Sequence, residues 1–76
     1  GKIYRELLNI KKKINNKIDI PNFLNYQKKL LEKNFNVKID YLEIRDTKNL
    51  KISNKNTNSR LFIAYYLNHI RLIDNL

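Results

Sequence analysis

The chain has 76 residues, with 16 Lys and Arg against 7 Asp and Glu for a formal net charge of +9, and it contains no Cys. That length bounds a single small domain, 1–76, which buries roughly 60 to 65% of the surface its unfolded chain exposes. Disulfides are excluded, and the lone His69 has no second soft ligand with which to build a zinc site.

Residues 3–14 place Ile3, Tyr4, Leu7, Leu8, Ile10 and Ile14 at three- and four-residue intervals, which predicts an amphipathic helix with one apolar stripe. Lys11, Lys12 and Lys13 then fall near its C-terminal end, where cations suit the helix dipole. After a polar connection, Asp19-Ile20-Pro21 reads as the start of a second helix, because Pro is tolerated in a first turn. Phe23, Leu24, Leu30 and Leu31 share a face of it, and Asn34 is the expected stop, with Phe35 folding back over the last turn.

Beyond Asn36 the pattern changes to period two. Val37, Ile39 and Tyr41 alternate with Lys38 and Asp40, as in a strand with one covered face. The alternation then shifts to Leu42 and Ile44, so either both faces are partly covered or a bulge moves the register. TKNLKI (47–52) has the makings of a single helical turn capped by Asp46 or Thr47 and anchored by Leu50. Residues 53–59 are all polar and predict an exposed, mobile loop. RLFIAYYL (60–67) and IRLIDNL (70–76) are two strand-like runs separated by Asn68-His69, which predicts a hairpin. Asn68 suits positive φ; His69 suits it less well than Gly, which leaves room for a longer turn. The expected fold is α+β in two layers: a helical part (1–35) packed on a three-stranded antiparallel sheet (37–76).

The inventory argues against chemistry within this chain. Ser53, Thr57 and Ser59 lie in the polar loop with no base held near them, and His69 stands in a turn. Strict strand alternation would put Asp40 and Glu43 on opposite faces, which removes the obvious acid/base pair. Gly1 is the sole glycine, so there is no phosphate-cradling loop. The positive charge has two readings. It fits a free-standing module that binds nucleic acid through its lysines and the strand aromatics Tyr41, Phe62, Tyr65 and Tyr66. It also fits a codon-driven surface, since Asn, Lys and Ile together dominate the composition as they do in AT-rich genomes. No apolar run approaches the roughly 18 to 20 residues of a membrane span, and no signal-peptide core is present, so the expected compartment is cytoplasmic. Arg71 and Asp74, three apart near the end, are expected to serve the sheet: Arg71 by holding a carboxylate such as Asp40 or Glu43, Asp74 and Asn75 by satisfying backbone groups.

Two stretches carry a family resemblance. KIDYLEIRDTKNL (38–50) followed by a terminal RLIDNL (71–76) resembles the C-terminal domain of pantothenate synthetase, the matching residues being Asp40, Tyr41, Leu50, Arg71, Leu72, Ile73, Asp74 and Asn75. Ile3-Tyr4-Arg5-Glu6-Leu7 is similar to the helix that family places just after its hinge, so the resemblance spans essentially the whole chain. Asn34 and Asn68 stand where the family favours glycine, mild changes because Asn also tolerates positive φ.

The resemblance implies a ligase that joins pantoate and β-alanine with ATP and Mg2+, through pantoyl-adenylate, releasing AMP and pyrophosphate. It implies that the nucleotide-binding residues lie mostly in a larger N-terminal Rossmann-like domain with a His-x-Gly-His type motif, through which the parent dimerises, and in a Lys-Met-Ser type loop near the hinge. Neither motif occurs in this sequence. The resemblance therefore implies a lid that is inactive alone, binds neither ATP nor metal by itself, and has no catalytic residue. Asp40, Tyr41, Arg71, Asp74 and Asn75 would then be structural or interdomain residues.

Overall fold

The computed structural model describes residues 1–53, 55 and 58–76. Its order is α1 (Lys2–Lys13), α2 (Ile20–Phe35), β1 (Lys38–Asp46), β2 (Ser59–Leu67) and β3 (Ile70–Asn75). The strands form one antiparallel sheet in the order β1-β2-β3, and α2 packs on β1. This is the two-helix, three-strand α+β arrangement expected from the periodicities.

In α1 the core side of the stripe is Leu7 and Ile10, continued by Ile14 just past the helix end. Tyr4 and Leu8, at the margin of the stripe, are left exposed. In α2 the Asp19 carboxylate accepts a hydrogen bond from the Asn22 backbone N–H at 3.3 Å, filling one of the first-turn donors that a helix cannot satisfy internally. The expected stop at Asn34 is corrected: α2 runs on to Phe35, and Asn36 takes the left-handed conformation at φ 52. The extra residues carry the chain to Val37, which is already buried in the sheet layer.

Of the two explanations for the shift within β1, the bulge is the right one. Ile39 pairs with Tyr65 and Tyr41 with Ala64, so Asp40 is the extra residue. Val37 and Ile39 before it, and Leu42 and Ile44 after it, consequently all reach the same buried layer. Leu61 and Ile63 of β2 join them, and with Leu7, Ile10 and Ile14 and with Ile20, Leu24 and Leu31 of α2 these apolar side chains make the core, which contains no buried polar residue among those described.

The turn over 47–52 is present but built differently. The Leu50 N–H donates to the Asp46 carbonyl at 2.9 Å, and the Asp46 carboxylate caps the Lys48 N–H at 2.7 Å. Leu50 is not its anchor: it has φ 59 and is 56% exposed. The turn instead closes through the backbone, with the Asp46 N–H donating to the Lys51 carbonyl and Ile52 bridging to Arg45. The mobile loop expected over 53–59 includes Asn54, Asn56 and Thr57, which lie outside the described residues. The β2–β3 hairpin has a turn of just Asn68 and His69, both at positive φ (51 and 73), because Leu67 pairs directly with Ile70. Leu76 extends the ladder by exchanging two backbone hydrogen bonds with Leu61, of 3.0 and 2.9 Å.

Candidate interdomain face

The helices cover one side of the sheet and leave the other open. On a strand, alternate residues share a face. The register therefore places Tyr41, Glu43 and Arg45 of β1, Phe62 and Tyr66 of β2, and Arg71, Ile73 and Asn75 of β3 on the open side. Ala64 is fully buried there although no helix covers it, which means the neighbouring large side chains close over it.

Three polar links tie this face together. Arg71 of β3 reaches across the line of β2 and donates to the Asp40 carboxylate in the bulge at 2.9 Å. That hydrogen bond holds the guanidinium protonated and pushes the Arg71 pKa up, with the carboxylate's charge adding to the effect. A raised cation contributes below its unfolded-state pKa and loses that contribution only as pH climbs through the raised value, so the charge of Arg71 is constant at ordinary pH. Glu43 pairs with Arg45 two residues on, and the Arg45 guanidinium lies 5.3 Å from the Tyr41 ring centre and 5.8 Å from that of Phe62. Arg60 donates to the Asn75 side-chain oxygen at 3.2 Å.

The five residues singled out in the sequence do not converge on one point. Asp40, Tyr41, Arg71 and Asn75 share the open face, with Arg71 and Asp40 in direct contact. Asp74 points to the other side, where it lines a groove of about 580 Å³ with Lys2, Ile3 and Tyr4 of α1. Its carboxylate accepts from the Asn75 backbone N–H at 2.8 Å, the backbone service expected of it, whereas Asn75 spends its own side chain on Arg60. Of the two partners considered for Arg71, Asp40 is the one used. Glu43 is taken by Arg45, a pairing that their i, i+2 spacing on one strand face makes legible. Glu32 was missed: from α2 its carboxylate accepts the Ile39 N–H at 3.0 Å, at the residue where the bulge begins. No sequence signal marks a bond that depends on how α2 lies against the edge of β1.

The pantoate-beta-alanine ligase family profile matches residues 1–76, the full length of the chain. The chain belongs to the pantoate-beta-alanine ligase family. No curated protein and no solved structure shows significant similarity to it. Pantothenate biosynthesis by a ligase is therefore the setting in which its face has to be understood.

A ligase of this family is ATP-dependent, and the residues present here do not fit a nucleotide–metal site. No group of three or more His, Cys, Asp or Glu side chains able to hold a metal ion is found among the described residues. Two arginines of the open face are already ion-paired, Arg45 with Glu43 and Arg71 with Asp40, and Arg60 donates to the Asn75 side-chain oxygen. Among the described residues, no helix is long and apolar enough to cross a membrane. The positive charge also has a location. On the strands Lys38, Arg45, Arg60 and Arg71 are matched in number by Asp40, Glu43, Asp46 and Asp74, while Lys and Arg outnumber Asp and Glu on the helices.

Proposed function

We propose that this chain is the C-terminal lid of a pantothenate synthetase, in the cytoplasm, closing over an active site built by a separate nucleotide-binding domain. In the intact enzyme ATP, Mg2+, pantoate and pantoyl-adenylate are held by that domain, through which the enzyme dimerises. The lid excludes water from the adenylate while β-alanine attacks. The observation that carries this reading is the family match over residues 1–76 on a domain whose open face is cross-linked internally by Arg71–Asp40 and Arg45–Glu43. Such a face is suited to docking as a rigid unit. The nucleic-acid reading is weaker, because Arg45 and Arg71 beside the aromatic rings of the open face are already paired with Glu43 and Asp40, and seven of the 12 lysines lie on the helices.

The reading is tested by the ratio of AMP released to pantothenate formed. The intact parent enzyme is expected to give about one AMP per pantothenate, and the parent lacking these 76 residues to give an excess of AMP as exposed adenylate hydrolyses. The 76-residue chain alone is expected to form neither product. Synthesis by the isolated chain, or tight coupling in a parent that lacks it, would overturn the proposal.

A further inference from the structure

The two edges of the sheet are treated differently. On β1 the outer edge is partly occupied: Glu32 takes the Ile39 N–H, Ser53 donates to the Ile44 carbonyl at 2.8 Å, and the Asp46 N–H goes to Lys51. On β3 the outer edge is bare. The reciprocal bonds between Leu61 and Leu76 fix the parity of the ladder, so Leu72 and Asp74 turn their backbone groups toward β2 while Arg71, Ile73 and Asn75 turn theirs outward. The Asn75 N–H is capped by Asp74, whereas those of Arg71 and Ile73 meet no partner among the described residues. Open edges are usually guarded by lysine or proline. This chain has 12 lysines and places none on β3. Every residue of β3 is exposed, Ile70 and Ile73 by 62% and 60%.

We propose that β3 pairs with β3 of a second copy of this chain, antiparallel and centred on Leu72. In that register Arg71 faces Ile73 of the other copy, Ile70 faces Asp74, and Leu72 faces itself, so four backbone bonds form from the outward groups of Arg71 and Ile73. The charges select it. Centring on Arg71 would oppose two arginines, and centring on Asp74 would oppose two carboxylates. Centring on Ile73 would call on the Asn75 N–H that Asp74 already holds. The two-fold axis stands normal to the sheet and puts α2, which packs on β1, at the far ends of a six-stranded sheet. The two β1 strands are then roughly 24 Å apart, five strand spacings. That exceeds the Debye length of about 8 Å, so the charges of α2 do not oppose association, while Lys2 of α1, which shares a groove with Asp74, lies nearer the axis. An edge of six residues is about 20 Å long, too short for the ~1,600 Å² of a standard interface, which makes this a weak dimer, with Kd on the order of 10 µM to 1 mM. The pairing is independent of the lid reading, and its tests need no substrate.

Sedimentation equilibrium of the 76-residue chain over a concentration series should show a reversible monomer–dimer equilibrium. Amide exchange at Arg71 and Ile73 should slow as concentration rises. Leu72→Lys should weaken association about tenfold or more, by placing two lysines on the axis. Ile70→Lys, facing Asp74 of the other copy, should leave it within about threefold. Leu72→Lys and Leu72→Glu, each monomeric, should form a heterodimer when mixed, which separates loss of pairing from loss of folding. A monomer at millimolar concentration, concentration-independent exchange at Arg71 and Ile73, or Lys and Glu variants that stay apart when mixed would each overturn the proposal.

Discussion

Asn68 and His69 turn the chain between β2 and β3 with φ of 51 and 73. Two consecutive positive-φ residues match the right-handed twist of the strands they join, which is why such turns favour Asn followed by Gly. His69 carries a Cβ in a region where it crowds the backbone, at a cost of roughly 1 to 2 kcal/mol, part of which glycine would return as lost unfolded-chain freedom. His69→Gly is expected to stabilise the domain by up to about 1 kcal/mol, measured as a higher urea midpoint at unchanged slope. The turn was legible because Asn68 supplies the first such residue at the centre of two apolar runs. The helix stop was not legible in the same way: Asn34 and Asn36 are equally able to turn left-handed, and the choice depends on where Val37 meets the core.

Between elements, the bond from Glu32 of α2 to the Ile39 N–H is the single side-chain hydrogen bond found between the helices and the sheet among the described residues. It supplies an acceptor to a backbone N–H that the ladder turns outward, to the edge of the sheet where no strand pairs with it. Glu32→Ala would leave that part-buried donor unmet, for an expected loss of about 1 to 3 kcal/mol in urea unfolding. Glu32→Gln keeps an acceptor oxygen and should recover most of that loss. If the two variants were equally destabilised, the carboxylate's charge rather than its bond would be what matters. The periodicities of α1, α2 and β1 were readable because each buries a stripe or face, and even the shift at Asp40 is visible as a break in alternation. What a sequence conceals is partner choice. Arg71 had Asp40 and Glu43 within its reach on paper, and only the bulge, which brings Asp40 to the open face, decides between them.

At the level of the molecule, stability rests on one apolar layer, since no polar residue is buried among the described residues and the described ion pairs are part-exposed. A domain of this size has roughly 4 to 11 kcal/mol in hand. Ile63, with no exposed surface at the centre of β2, is the position where truncation should cost most. Ile63→Ala is expected to remove about 2 to 5 kcal/mol, lowering the thermal midpoint by at least about 8 °C, as followed by circular dichroism. The family could be read from paired motifs in the sequence, but the division of labour between the two faces could not. Asp74 and Asn75 are adjacent in sequence and end up on opposite sides of the sheet.

The extra residue in β1 works like a frameshift in a two-letter code. Every strand spells in and out by turns, and Asp40 is the single inserted letter that lets Val37 and Ile39 keep the same sense as Leu42 and Ile44. Deleting it would leave each of those words intact while reversing the meaning of one of them. A position that is exposed, and whose neighbours would tolerate many substitutions one by one, is therefore among the least dispensable in length: the domain can accept another side chain at 40 far more readily than it can accept one residue fewer.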